Sequence, residues 1–139
     1  MKSQELRIGN YVDLGNRIAK VIEIGHLSCV VVDLEETQDT IEDYERTKPI
    51  PLTEDWLGKL GLIKRNQTEE LPEELQQPDI DEDGDIWYTW VKGVFNLEIQ
   101  SNGEIWFELY SHYKHIKWVH ELQNLYFALT GEKLTFKSE

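Results

Sequence analysis

From residue 94 to residue 110, apolar and polar side chains alternate, broken once by Ser101-Asn102-Gly103. A period of two over runs of this length marks strands with one buried face, so the segment predicts a β-hairpin of residues 94–100 and 104–110. Loop length decides its register. A two-residue loop, Asn102-Gly103, would set Ile99 opposite Trp106 and Leu97 opposite Glu108, mixing polar and apolar residues on both faces. A three-residue loop with Gly103 in the left-handed position instead gathers Phe95, Leu97, Ile99, Ile105, Phe107 and Leu109 on one face. Asn96, Glu98, Gln100, Glu104, Trp106, Glu108 and Tyr110 then share the other. The three-residue loop is the expected one, and residues 86–91 add a neighbouring antiparallel strand.

The first third of the chain also follows a strand pattern. Residues 11–14, 17–24 and 27–34 are rich in Val and Ile and are separated by Gly15-Asn16 and Gly25-His26, pairs suited to tight turns. Residues 41–44 add a short edge strand. Strands this short and this close predict a small β meander or an SH3-like partial barrel.

Two helices are expected. After Pro49 and Pro51, Thr53 is placed to cap a helix start, Glu54 and Asp55 suit its positive end, Leu52 can staple to Leu57, and Gly61 ends it. At barely two turns, this helix depends on packing Trp56, Leu57 and Leu60 against a sheet. In residues 116–130, apolar side chains recur at three-four spacing, at Trp118, Val119, Leu122, Leu125, Tyr126 and Leu129, before Gly131. This longer helix is expected to cover the apolar face of the hairpin. The fold class is therefore α+β: an N-terminal β meander or partial barrel, then an antiparallel hairpin sheet packed by a C-terminal helix. One compact domain of residues 1–139 is expected, with sub-parts 1–52 and 53–139.

Charge narrows the partners. The 139 residues carry 27 acidic and 14 basic side chains, a net charge of −13, which repels nucleic-acid backbones and anionic membranes. The excess falls in two stretches, residues 33–45 and 69–85. An unidentified protein partner of basic character fits this balance, with neither direct nucleic-acid nor membrane binding. No run approaches the ~20 apolar residues of a membrane span. Together with the single cysteine, Cys29, set among β-branched neighbours as a small buried hydrophobe, this favours the cytoplasm.

Three blocks, LRIGNYV, KPIPLTEDWLGKLG and WVHELQNLYFALTGEKL, resemble a family of small uncharacterised Bacteroidetes proteins found in phage-like or other mobile-element settings. The resemblance implies a phage-related accessory protein. It carries no catalytic residues.

Three clusters invite chemistry. Asp79, Asp81, Asp83 and Asp85 with Gly84 match the first eight positions of an EF-hand loop, but position twelve is Trp90 instead of a bidentate Glu. An acidic hairpin turn at Asp83-Gly84 is the plainer reading, and a weak cation site borrowing Glu98 is the alternative. His112, His115, His120 and Glu121 include zinc-type ligands at unsuitable spacing, and read better as a solvated helix start. Trp106 and Tyr110, beside Glu98 and Glu108 on the polar hairpin face, read as contact anchors for a partner unless another segment folds over them. No nucleophile elbow or phosphate loop is present, so no cofactor is expected and the chain reads as non-enzymatic. The favoured function is an accessory protein that binds a protein partner. The alternatives are an acidic nucleic-acid mimic that inhibits a DNA-handling enzyme, and a cation-binding protein or small enzyme that uses the acidic loop.

Overall fold

The computed structural model describes residues 3–64, 79–80, 86–93, 95–100, 102–109 and 112–136. They form two antiparallel sheets and two α-helices, an α+β fold, grouped into two compact units. One comprises Met1–Pro51 with Trp118–Thr135, the other Leu52–Lys117 with Phe136–Glu139. The expected sub-parts divide the chain once, near residue 52. The observed units interleave, because the last helix joins the N-terminal strands.

In the first unit, β1 (Tyr11–Asp13), β2 (Ile18–Ile24), β3 (Ser28–Asp33) and β4 (Asp39–Asp43) form a meander in chain order. The sheet stays open, since β1 and β4 are not paired with each other. Gly15, at φ +94°, opens the two-residue turn closed by the Leu14 N–H on the Arg17 carbonyl. The next turn sits one residue later than the glycine suggested. Its loop is His26-Leu27, because the Gly25 N–H bonds the Ser28 carbonyl, and a Cβ on Gly25 would lie only 2.8 Å from that oxygen. A register shift between Val21 and Glu23 restores the pattern by turning both Val21 and Ile24, three residues apart, toward the side occupied by Val31 and Cys29. Leu6, Val12, Ala19, Val21, Cys29 and Val31 make one buried cluster there. Residues 39–43, expected as part of an acidic stretch with strand only from residue 41, pair fully with β3 from Asp39 to Asp43.

The second unit holds β5 (Ile63–Lys64), β6 (Asp79–Ile80), β7 (Ile86–Lys92), β8 (Phe95–Gln100), β9 (Ile105–Leu109) and β10 (His112–Ile116). The sheet runs β10-β9-β8-β7-β5, with β6 also on β7. Its centre is the hairpin with the three-residue loop: Leu97 pairs Phe107, Glu98 pairs Trp106 and Ile99 pairs Ile105. Gly103 has φ +87°. The expected apolar face is buried at Phe95, Leu97, Ile99, Ile105 and Phe107, and the Phe95 and Phe107 rings stack at 5.0 Å.

Helix α1 (Glu54–Lys59) starts at Thr53, whose hydroxyl accepts the Trp56 N–H. It ends with the Leu62 N–H on the Leu57 carbonyl and the Gly61 N–H on the Gly58 carbonyl, the paired bonds of a Schellman stop with Gly61 at φ +88°. Trp56, Leu57 and Leu60 are buried as expected.

Helix α2 (Val119–Thr130) differs from expectation at its start and on its buried face. Residues 112–116 are the strand β10, whose Lys114 pairs Phe107, so the helix begins three residues later than the periodicity suggested. Its buried side chains are Val119, His120, Leu122, Gln123 and Tyr126, while Leu129 is exposed. Gln123 is inside because the backbone it meets is itself polar. The N–H of Tyr11 donates to Gln123 Oε1, whose amide nitrogen donates to the carbonyls of Gly9 and Leu134. Asn124 accepts from the Asn10 side chain and donates to the Glu5 carbonyl. The helix thus supplies hydrogen-bond partners to residues 5–11, which lie outside any strand ladder for most of their length. No helix among the described residues is long and apolar enough to cross a membrane.

Candidate functional site

The polar face of the second sheet gathers Glu98, Trp106 and Glu108 from the hairpin, and adds others. Trp106 on β9 lies between Glu98 on β8 and His115 on β10, its cross-strand partners on either side. The His115 ring stacks on the indole with centroids 4.9 Å apart and planes 16° from parallel. Glu104, two residues before Trp106 and so on the same face, accepts the indole N–H at 3.1 Å. The half-buried indole is thereby held on one side by an imidazole and at its edge by a carboxylate.

The next row across the two outer strands pairs Glu108 with Tyr113. The phenol hydrogen-bonds the Glu108 carboxylate, and that bond, with the charges of Glu108 and Glu98, holds its pKa above the usual tyrosine value. Tyr113 is 60% exposed and is the most open aromatic among the described residues of this unit. Opposite Glu98, Thr89 on β7 is buried. The face therefore presents Glu98, Glu104 and Glu108 around two aromatic groups whose positions are set before any partner arrives.

Of the expected anchors, Trp106, Glu98 and Glu108 are on one face of the sheet, and Tyr110 lies outside the described residues. His115 and Tyr113 were missed. Their signal was the alternation within residues 112–116, where Tyr113 and His115 point to one side and His112, Lys114 and Ile116 to the other. From the sequence alone, His112 and His115 are instead expected as part of a solvated helix start.

The ligand types suggested by the other clusters are spread out. His112 and His115 fall on opposite faces of β10, and His115 is engaged by Trp106. His120, expected in a solvated helix start, is 4% exposed in α2 of the first unit. Among the described residues its Nδ1 has no hydrogen-bond partner, and burial pushes its pKa below the ordinary histidine value against the pull of Glu121 and Glu5. Among the described residues, no three His, Cys, Asp or Glu side chains are grouped to hold a metal. Asp79 lies on a strand paired with β7, where an EF-hand would have the end of its entering helix, and Asp81, Asp83 and Asp85 lie outside the described residues.

Cys29 is buried, and desolvation, reinforced by the charge of Glu42, pushes its thiol pKa up. That is the opposite of what a nucleophilic cysteine needs. Asp39 and Asp43 alternate with Glu42 across the two faces of β4, Asp33 caps a turn through Thr37, and Glu36 pairs with Lys20. No family model, curated protein or solved structure matches the chain.

Proposed function

We propose that this chain is a non-enzymatic accessory protein that binds a basic protein partner through the polar face of β8, β9 and β10. The observation that carries the reading is the Trp106–His115 stack with Glu104 on the indole N–H. An aromatic anchor already held in one orientation loses little freedom on binding, which is where much of the cost of an interface lies. Glu98 and Glu108 supply the charge to which a Lys- or Arg-bearing surface responds. The groups most suited to nucleophilic or base chemistry favour the same reading: the Cys29 thiol is held protonated and the His115 ring is stacked. The mobile-element setting belongs to the proposal on the strength of the three sequence blocks.

The test is affinity capture from the native host with the wild-type protein, with Trp106→Ala, and with the Glu98→Lys/Glu108→Lys double variant. A partner held by the wild type, released by salt and lost from both variants is the expected result. Thermal unfolding of each variant separates loss of the surface from loss of the fold. Capture of no salt-sensitive partner, or of one retained equally by the folded charge-reversed variant, would refute the proposal.

A further inference from the structure

The first unit contains a groove of about 590 Å³ between residues 6–10 and the C-terminal half of α2. Its walls are largely apolar, and two of them, Ile8 and Phe127, are 52% and 50% exposed. The polar side chains in the lining, Asn10, Gln123 and Asn124, are already committed to one another and to the backbone. What remains for a ligand is apolar surface and two cations, Arg7 and Lys133, neither of which makes an ion pair among the described residues. In a chain with 27 acidic and 14 basic side chains, a groove whose charged lining is purely cationic runs against the general balance. Both line the same groove, and the Lys133 stem passes Gly9, where a Cβ would lie 3.5 Å from its Cδ.

We propose that this groove binds a small apolar monocarboxylate, its aliphatic body against Ile8 and Phe127 and its carboxylate held by the lining cations Arg7 and Lys133. The volume is within the range of small-molecule sites. Two hydrogen-bonding cations favour a carboxylate over a neutral or cationic head. A single negative charge suits the site better than an acidic peptide does, because each further charge meets the field of a −13 chain.

Octanoate, octan-1-ol and octyltrimethylammonium, titrated into isotopically labelled full-length protein and followed by amide chemical shifts, distinguish the contributions of head and tail. Octanoate should shift residues 6–10 and 123–134 with submillimolar affinity, the alcohol should bind more weakly at the same place, and the ammonium should bind weakest. The Arg7→Gln/Lys133→Gln variant should lose about tenfold for octanoate with the alcohol unchanged, and Phe127→Asp should weaken both. These side chains are exposed at the groove, and unchanged melting temperatures would confirm that the variants fold. The proposal is overturned if the three ligands bind alike, if the double variant binds octanoate as the wild type does, or if the shifts map elsewhere. Tighter binding of an acetylated Leu-Phe-Leu peptide than of octanoate would also overturn it, by assigning the groove to a protein segment.

Discussion

Gln123 and Tyr11 are 112 positions apart in the chain, yet the backbone N–H of Tyr11 donates to the Gln123 side-chain oxygen at 2.9 Å. With its bonds to Gly9 and Leu134, the Gln123 amide satisfies three backbone groups. Gln123→Leu keeps the approximate volume and leaves those groups unpaired, so it should cost about 2–4 kcal/mol in urea unfolding. A loss below about 1 kcal/mol would show that water replaces the amide.

His120 gives the fold an acid sensitivity whose sign follows from its environment. Its folded-state pKa is lowered by burial, so the unfolded chain takes up the proton first as pH falls below the ordinary value of 6.5. The stability contributed by keeping this side chain neutral is present above that value and declines below it until the lowered folded-state pKa is reached. Urea midpoints measured between about pH 7.5 and pH 5 should fall for the wild type and fall less steeply for His120→Leu. Parallel declines would assign the acid sensitivity to other groups.

Gly103 offers a clean measure of backbone strain. A Cβ there would meet nothing within 4 Å, while φ is +87°. Gly103→Ala should therefore cost about 1–2 kcal/mol through the left-handed backbone alone. Gly103→Asn, a residue that tolerates this region, should cost less. Equal losses for both would mean that the loop relaxes to another turn.

Cys29 is expected to be inert in the folded protein. Its thiol is buried and its pKa is raised, chiefly by desolvation. Alkylation at mildly alkaline pH should run at least about 100-fold slower than in denaturant. A native rate close to the denatured one would show that β3 opens readily.

Sequence alone determined the features whose energetics lie within a few neighbouring residues. The hairpin register was legible because only one loop length segregates Leu97, Ile99, Ile105 and Phe107 from Glu98, Trp106 and Glu108. The α1 boundaries were legible because Thr53 and Gly61 answer local needs for a donor's partner and a positive φ. That Glu98, Trp106 and Glu108 share one face followed from the same alternation. Tertiary structure alone decided which unit the last helix joined, since periodicity identifies an apolar face and leaves its partner open. It also decided that Gln123 is inside, because its burial depends on where residues 9–11 run, more than a hundred positions away. The same holds for the Trp106–His115 stack. Each residue is locally unremarkable, and the contact exists because β10 pairs with β9 as a strand where a solvated helix start is expected from the sequence. Short-range patterns are set by backbone geometry and repeat in any protein, whereas pairing between distant segments depends on the surface each one finds.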